Sequence, residues 1–131
     1  MIGIGSDLID IRRIQKTIER FGDRFKNRVF TKSEIEKCEK RNQSFSCFAK
    51  RFAAKEAAAK ALGTGFRNGV FWKDLEVINL PSGEPTINFH GNSKNHLEKL
   101  TLNFNNYNIK LTITDEYPYA QAIVVIGVNY G

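Results

Sequence analysis

The segment RFAAKEAAAKALGTG, from Arg51 to Gly65, is the sequence feature that most constrains the fold. Alanine has the highest helix propensity of all residues, and the Gly63-Thr64-Gly65 sequence is typical of a helix end. The residues before the segment continue the pattern, so we predict one long helix from about Ser44 to Leu62. The charged residues within so plain a helix therefore need a separate explanation.

Glu56 is the charged residue of this helix whose position is hardest to explain. At 100° per residue it falls within the apolar stripe that a soluble helix turns to its core, which holds Phe45, Phe48, Phe52 and Ala59. A carboxylate directed inward is costly unless it is paired or hydrogen-bonded. Glu56 either forms an ordinary surface pair with Lys60, one turn later, or faces a polar cleft where it helps to hold a metal ion or an anionic ligand.

Length and composition are those of an ordinary globular protein. The chain has 131 residues, of which 41% are hydrophobic and 26% charged, so we predict a single domain over residues 1–131. It has no apolar run long enough to span a bilayer, and MIGIGSDLID lacks the features of a secretory signal. We therefore expect a cytoplasmic protein without a membrane partner. Cys38 and Cys47 lie far from both histidines in sequence, so we expect neither a zinc site nor a disulfide framework.

The net charge of +6 indicates an acidic partner. Much of the excess lies between Ile11 and Arg28, where only Glu19 and Asp23 oppose a set of basic residues: Arg12, Arg13, Lys16, Arg20, Arg24, Lys26 and Arg28. This cationic face is either simply solvated or a docking surface. The alternative of a small nucleic-acid-binding protein is weaker, because no recognition motif or stacking platform is evident.

Hydrophobic periodicity predicts the elements of the N-terminal half. The first residues, Met1 to Gly5, alternate like a short strand, and a turn at Gly5-Ser6-Asp7 then opens a helix with apolar positions Leu8, Ile11, Ile14 and Ile18. A second helix follows in TKSEIEKCEKR, with Thr31 or Ser33 as its N-cap.

The C-terminal half is richer in strand patterns. We predict strands at Leu75–Leu80 and Thr86–Phe89, a helix near Ser93–Leu102, and a terminal hairpin that turns at Asp115–Pro118. The PSGEP sequence is a turn by composition. The fold class that follows is α+β, with helices packed on one antiparallel β-sheet.

Asp7 is the second carboxylate that attracts attention. It could cap the first helix together with Asp10, which is the ordinary explanation. A strand end that leads into a helix is, however, also a common place for a metal-binding carboxylate. Mg²⁺ takes one or two carboxylates and leaves its other positions to water and substrate phosphates. Asp7 and Glu56, with Lys55 and Lys60 alongside, would meet that requirement.

Two sequence motifs, in this order and spacing, resemble a known family. GIGSDLIDIRRI and RFAAKEAAAKALGTG are similar to the two signature motifs of the phosphopantetheinyl transferases, in the small bacterial group of holo-[acyl-carrier-protein] synthases. The similarity extends to RVFTKSEI, GEP and YAQAIVVI, and so covers nearly the whole chain. The resemblance implies the fold of that family and a transfer of the 4′-phosphopantetheine arm from coenzyme A to a serine of apo acyl carrier protein, for fatty acid biosynthesis.

The resemblance also implies roles for individual residues. Asp7 and Glu56 match the Mg²⁺ carboxylates, and Lys55 and Lys60 match lysines near the coenzyme A phosphates. Gly63 and Gly65 would let the backbone approach the ligand. Family members are typically homotrimers with interfacial sites, so a neighbouring subunit would contribute the segments that match Gly83, Pro85, Ile113 and Thr114 to coenzyme A binding.

The cationic face gains a purpose from the same resemblance, because acyl carrier proteins are small and acidic. The implied carrier-protein contacts are Arg13, Lys16, Arg20, Arg24, Phe25 and Arg28. Glu56 and Lys60 are expected to act in catalysis, but the general base stays open. Many relatives have a histidine where this chain has Asp115. Asp115, a water held by the metal and Glu56, or Glu34 could accept the proton.

Overall fold

Helices and antiparallel strands are mixed along the part of the chain that the computed structural model describes, residues 1–102 and 107–128. The elements in chain order are β1 (Gly3–Asp10), α1 (Ile11–Phe21), α2 (Asp23–Val29), α3 (Lys32–Glu39), α4 (Ser44–Leu62), a 3₁₀ turn (Trp72–Asp74), β2 (Leu75–Asn79), β3 (Pro85–Phe89), α5 (Gly91–Leu100), β4 (Tyr107–Glu116) and β5 (Tyr119–Val128). The α+β class is thus confirmed, and α4 has the predicted bounds.

The antiparallel strands form two sheets rather than the one that we expected. The larger sheet has the strand order β1-β5-β4, and the smaller one is the β2-β3 hairpin. The hairpin packs against β4 through β3 without forming a hydrogen-bonded ladder with it. Within the larger sheet Asp7 and Ile113 both pair with Ala122, so the two residues occupy the same row on either side of β5.

Close contact between α4 and β1 determines where the helix lies. A Cβ atom at Gly5 would collide with the backbone oxygen of Ala57, and one at Gly3 with that of Ala61. Small residues on the helix allow the same approach, since Ala53, Ala54, Ala57 and Ala58 are fully buried in the core. The absence of bulky side chains at these positions therefore brings the C-terminal half of α4 against the first half of β1.

The start of the chain differs from the prediction. β1 continues through Asp10, and no turn occurs at Gly5-Ser6-Asp7, because the strand pairs with β5 as far as Asp10 opposite Tyr119. Asp10 is the N-cap of α1 and accepts a hydrogen bond from the amide of Arg12 at 2.9 Å. The interpretation of Asp7 as a helix cap is therefore wrong, and Leu8 is an exposed strand residue. Helix α2 has no counterpart in the prediction and begins after Gly22, whose φ is 55°.

The two cysteines form a disulfide, contrary to the expectation of unpaired thiols. Cys38 ends α3 and Cys47 lies in the first turn of α4, and the short connection between the helices brings their Cα atoms to 5.4 Å. The cap of α3 agrees with the sequence, since Thr31 and Glu34 form a reciprocal capping box. Across residues 1–102 and 107–128, no helix combines the length and apolar character needed to cross a bilayer.

Candidate active site

Asp7, on β1, and Lys60, on the last turn of α4, meet where the helix crosses the strand. The Lys60 ammonium donates to the backbone oxygen of Ser6 at 2.9 Å and lies 3.3 Å from Oδ1 of Asp7. The Asp7 side chain is 17% exposed and that of Lys60 is 52% exposed. The pair therefore stands at the edge of the core, where a ligand can reach it.

Glu56 completes this cluster from the turn of α4 before Lys60. Burial raises the pKa of Glu56, the neighbouring charge of Asp7 raises it further, and Lys60 and Arg13 oppose both effects. Burial likewise raises the pKa of Asp7 against the opposition of Lys60 and Arg13. Within the described residues Glu56 has no ion pair within 4 Å, so the simple Glu56–Lys60 surface pair is not formed. Of the two half-buried carboxylates, only Asp7 is thus paired with Lys60.

This donor set fits a hard divalent cation. Two carboxylates that repel each other and are partly desolvated gain from a cation placed between them, and Mg²⁺ is commonly held by one or two carboxylates, with water and phosphate oxygens as its other ligands. Among residues 1–102 and 107–128 there is no group of three or more His, Cys, Asp or Glu side chains able to hold a metal. A metal at Asp7 and Glu56 would therefore need ligands from solvent and substrate.

Lys55 does not join the cluster, although it was expected beside the coenzyme A phosphates. Its side chain is fully buried, and its ammonium lies 2.7 Å from Oε1 of Glu34 and donates to the backbone oxygen of Trp72 at 3.1 Å. Burial lowers the pKa of Lys55, and Glu34 opposes this shift. Because neither side chain reaches the surface, the geometry supports neither a direct phosphate contact by Lys55 nor a base role for Glu34.

The loop after α4 is open at its two glycines. Gly63 is the C-cap of the helix with φ 82°, and Gly65 has φ 58°, so both adopt conformations that other residues rarely tolerate. A Cβ atom at either position would meet no other atom of the described residues within 4 Å. The backbone after Lys60 is therefore open at these two positions.

A second, cationic cavity of about 190 Å³ contains residues from β2, β3, α4 and β4. Its lining includes Pro85, Ile113 and Asp115, and three cations that the sequence analysis did not select, namely Arg41, Lys50 and Arg51. Arg51 is only 7% exposed, and its Nε atom has no hydrogen-bond partner among the residues that the structure describes. Arg51 could have been noticed in the sequence because it begins the RFAAKEAAAKALGTG segment. Only the tertiary structure shows that its side chain points into this cavity. Such a guanidinium is suited to binding an anion.

Asp115 belongs to this second cavity and not to the Asp7 cluster. It accepts a hydrogen bond from the hydroxyl of Ser46 at 2.9 Å and lies 3.7 Å from the ammonium of Lys50. Thr114 is exposed on β4, and Gly83 occupies the β2-β3 turn with φ 91°. Of the four residues expected to come from a neighbouring subunit, Pro85 and Ile113 line the cationic cavity, whereas Gly83 and Thr114 do not.

The two sites lie on different sides of α4. At 3.6 residues per turn, Arg51 points about 140° away from Glu56 and about 180° away from Lys60 around the helix. Lys50 points about 120° away from Glu56 in the other direction. One small ligand cannot contact both groups of residues on a single chain.

The cationic face of α1 borders the carboxylate cluster. Arg13 and Lys16 line a cavity of about 530 Å³ next to Asp10 and Thr17, and the charge of Arg13 acts on both Asp7 and Glu56. Other predicted contacts on this side, Arg20, Arg24 and Arg28, are exposed. Phe25 is half-buried and packs against Phe30 and Phe52, with ring centroids 6.0 and 6.3 Å apart. These contacts between aromatic rings make Phe25 largely a packing residue.

Comparisons with known proteins agree with this geometry. Residues 3–119 match the family model of the 4′-phosphopantetheinyl transferase superfamily. The chain is 57% identical over 126 residues to the holo-[acyl-carrier-protein] synthase of Brucella ovis, which covers 96% of this chain and 94% of the relative. The corresponding protein of Methylorubrum extorquens is 55% identical over 126 residues, covering 96% and 93%.

Solved structures lead to the same family. The holo-[acyl-carrier-protein] synthase of Neisseria meningitidis has a TM-score of 0.82 at 29% identity, covering 98% of this chain and 99% of that one. The Helicobacter pylori synthase, solved in complex with coenzyme A, has a TM-score of 0.78 at 30% identity, covering 95% and 99%. Because the motifs, the fold and the full-length similarity agree, the chain belongs to the 4′-phosphopantetheinyl transferase superfamily, within the holo-[acyl-carrier-protein] synthase group.

Proposed function

We propose that this protein transfers the 4′-phosphopantetheine arm of coenzyme A to a serine of apo acyl carrier protein and releases adenosine 3′,5′-bisphosphate. The observation that carries the proposal is the cluster of Asp7, Glu56 and Lys60, built from the two motifs that define the resemblance. Membership of the family supports it, as do relatives named for this activity at 55–57% identity. A nucleic-acid-binding role would leave this cluster unexplained.

Asp7 and Glu56 would hold the Mg²⁺ ion. When bound, Mg²⁺ supplies positive charge to the pyrophosphate oxygens of coenzyme A. Lys60 adds a second positive charge on the exposed side of the cluster, since it is half exposed beside Asp7. Fixed charges of this kind stabilise the negative charge that the leaving phosphate develops during phosphoryl transfer.

The reaction is a displacement at the β-phosphorus. The serine oxygen of the carrier protein bonds to phosphorus, the bond from phosphorus to the bridging oxygen breaks, and the bridging oxygen leaves on adenosine 3′,5′-bisphosphate. The serine proton goes to a base, for which we propose Glu56 acting through a water. Asp115 is held by Ser46 and Lys50 on the opposite side of α4, so it would reach the serine only from the neighbouring subunit.

A homotrimer explains why the coenzyme-binding residues are divided over two sides of α4. One subunit would supply Asp7, Glu56 and Lys60, and its neighbour would supply Arg51 and the segments around Pro85 and Ile113. The outer face of the larger sheet supports association, because Ile4 and Leu8 are 57% and 63% exposed there, next to the half-buried Ile123 and Val125. The cationic cavity would then hold an anionic group of coenzyme A.

The acidic carrier protein would dock on α1 and α2. Arg13 acts on both carboxylates of the cluster and lines a cavity with Lys16, and Arg20 lies further along the same helix, so a carrier protein docked there would have its acceptor serine near the transferred group. Arg24 and Arg28 extend the same face. Cytoplasmic location and service in fatty acid biosynthesis follow from this activity as predictions.

Intact-mass spectrometry of an apo acyl carrier protein, incubated with this protein and coenzyme A, tests the proposal. We expect a phosphopantetheine mass gain that EDTA abolishes and that Glu56→Gln slows by about 10²-fold or more. Glu36→Gln, a change of an exposed α3 carboxylate, is the matched control and should retain the wild-type rate. A folded wild-type protein that modifies no carrier protein would overturn the proposal.

A further inference from the structure

The buried ion pair between Glu34 and Lys55 is the most completely satisfied charged pair in the described part of the chain. Oε1 of Glu34 lies 2.7 Å from the Lys55 ammonium and accepts from the amide of Thr31 at 2.8 Å. Oε2 accepts from the amide of Val77 at 2.9 Å. The Lys55 ammonium also donates to the backbone oxygen of Trp72 and lies 5.6 Å above the ring centroid of Phe30.

These contacts join four elements at one point. Glu34 belongs to the first turn of α3, Lys55 to α4, Trp72 to the 3₁₀ turn and Val77 to β2. The two charged side chains are 0% and 1% exposed, so they are held by specific contacts that water does not weaken. The pair therefore fixes one side of α4 to the helices and hairpin that surround it.

Another side of α4 is fixed by β1. The backbone of the helix at Ala57 and Ala61 lies directly against Gly5 and Gly3. Around the helix axis, Glu56 and Lys60 lie between the side that contacts β1 and the half-buried Phe52. With both sides held, the direction of Glu56 around the helix axis has little freedom.

We propose that Glu34 and Lys55 are positioning residues for the cluster of Asp7, Glu56 and Lys60, because their ion pair sets the rotation of α4 about its axis. Lys55 and Glu56 are consecutive, so they point about 100° apart and turn together. At a radius of about 6 Å, a rotation of about 10° moves the Glu56 carboxylate by about 1 Å. A misplacement of that size can cost about 10²-fold in rate.

This inference rests on the proposed function and gives Lys55 a positioning role instead of a direct contact with coenzyme A. A lysine that binds coenzyme A directly would affect the KM for coenzyme A. A lysine that holds the helix affects the kcat and the affinity of the cluster for a divalent cation, while the KM for coenzyme A changes little.

Three variants test the difference: Lys55→Met, Glu34→Gln and the double variant. Glutamine keeps the capping box of α3, and methionine keeps the length of the lysine stem. The double variant removes both charges of the pair together, so neither Glu34 nor Lys55 is left as a buried charge without its partner. Leu97→Ala, in the buried face of α5, is the control for a general loss of stability.

We expect each single variant to lower kcat by about 10- to 100-fold with a KM for coenzyme A within about twofold of wild type. Because the two residues act as a unit, the double variant should lose about as much as one single variant rather than the product of both losses. Binding of Mn²⁺ in the presence of coenzyme A, followed by the paramagnetic resonance of free Mn²⁺, should weaken in parallel. Leu97→Ala should lower the melting temperature without these changes.

Unchanged kcat in the folded double variant would overturn the positioning role while leaving the proposed function intact. A rise in the KM for coenzyme A at constant kcat in Lys55→Met would do the same and would assign Lys55 to direct binding. A folded wild-type protein without transfer activity and without Mn²⁺ binding would overturn both the proposed function and the positioning role.

Discussion

The ammonium of Lys60 lies 3.3 Å from Oδ1 of Asp7, although 53 positions separate the two residues in sequence. The nearer carboxylate in sequence, Glu56, is one helical turn from Lys60 but has no ion pair within 4 Å in the described chain. The lysine therefore links β1 to α4, and Glu56 is left with a charge that the fold does not fully compensate. This incomplete compensation is what a cation-binding site requires.

The first prediction is that Glu56→Gln stabilises the metal-free protein at neutral pH. The folded-state pKa of Glu56 is raised above its ordinary value of 4.5, so the unfolded chain ionises first as the pH rises. The contribution of Glu56 to wild-type stability thus falls as the pH rises from about 4.5 through the folded-state pKa, and the glutamine variant lacks this loss. In EDTA we expect the melting temperature of the variant to exceed that of wild type by about 1–3 °C at neutral pH.

Near pH 3 Glu56 is largely uncharged in both the folded and the unfolded chain, and the difference in melting temperature between wild type and Glu56→Gln should vanish. Thermal unfolding in EDTA from acidic to neutral pH measures the difference in melting temperature at both ends of the range. Glu36→Gln is again the control. A variant that is less stable than wild type at neutral pH would show that Glu56 is already well compensated in the fold.

The second prediction concerns the cationic cavity. Arg51→Gln should raise the KM for coenzyme A by about tenfold or more and leave kcat nearly unchanged, because a hydrogen bond to a charged group contributes about 1.5–3 kcal/mol. Lys94→Gln removes an exposed charge from α5 and should leave both constants unchanged. Steady-state kinetics with coenzyme A as the varied substrate measure both constants. An unaltered KM for coenzyme A in Arg51→Gln would show that the cavity does not bind coenzyme A.

The third prediction concerns assembly. Leu8→Glu places a charge on the exposed apolar face of the larger sheet, where Leu8 is 63% exposed. Burying that charge between subunits is costly, so we expect light scattering to show monomers and the transfer rate to fall by about 10²-fold or more. Leu102→Glu changes a residue that is 75% exposed near the end of α5 and should leave both mass and rate unchanged. Full activity in a monomeric Leu8→Glu protein would contradict the interfacial site.

The fourth prediction concerns carrier-protein docking. Arg13→Glu combined with Arg20→Glu reverses two charges on α1 and should raise the KM for acyl carrier protein by about tenfold or more at low salt. The KM for coenzyme A should change much less. Lys94→Glu combined with Lys99→Glu makes the same charge change on α5 and controls for net charge. If both double variants have the same KM for carrier protein, the cationic face of α1 is not its docking surface.

Much of the fold could be predicted because the local signals were strong. The bounds of α4 follow from alanine propensity and the terminal glycines, and the capping box of α3 follows from Thr31 and Glu34. The extension of β1 to Asp10 could not be predicted from its own residues, because the apolar positions from Leu8 onward also fit a helix. Pairing with β5 decided in favour of the strand.

The division of the strands into two sheets and the pairing of Cys38 with Cys47 were missed for a related reason. Both depend on which segments become neighbours, and a spacing of nine residues carries no information about the turn between α3 and α4. Lys55 and Lys60 illustrate the same point within one helix. The two lysines look equivalent in the motif, yet one is buried against Glu34 and the other is half exposed beside Asp7.

The sequence by itself determined the fold class, the central helix and the family, and it drew attention to Asp7 and Glu56, because these depend on residue types and on spacing along the chain. The tertiary structure decided which lysine meets Asp7, which one holds the helix in place, and that the carboxylate cluster and the cationic cavity lie on different sides of α4. Those relationships depend on how α4 is rotated when it packs between β1 and α3. That rotation results from backbone contact at the glycines of β1 and from a buried ion pair, interactions between segments that are distant in sequence.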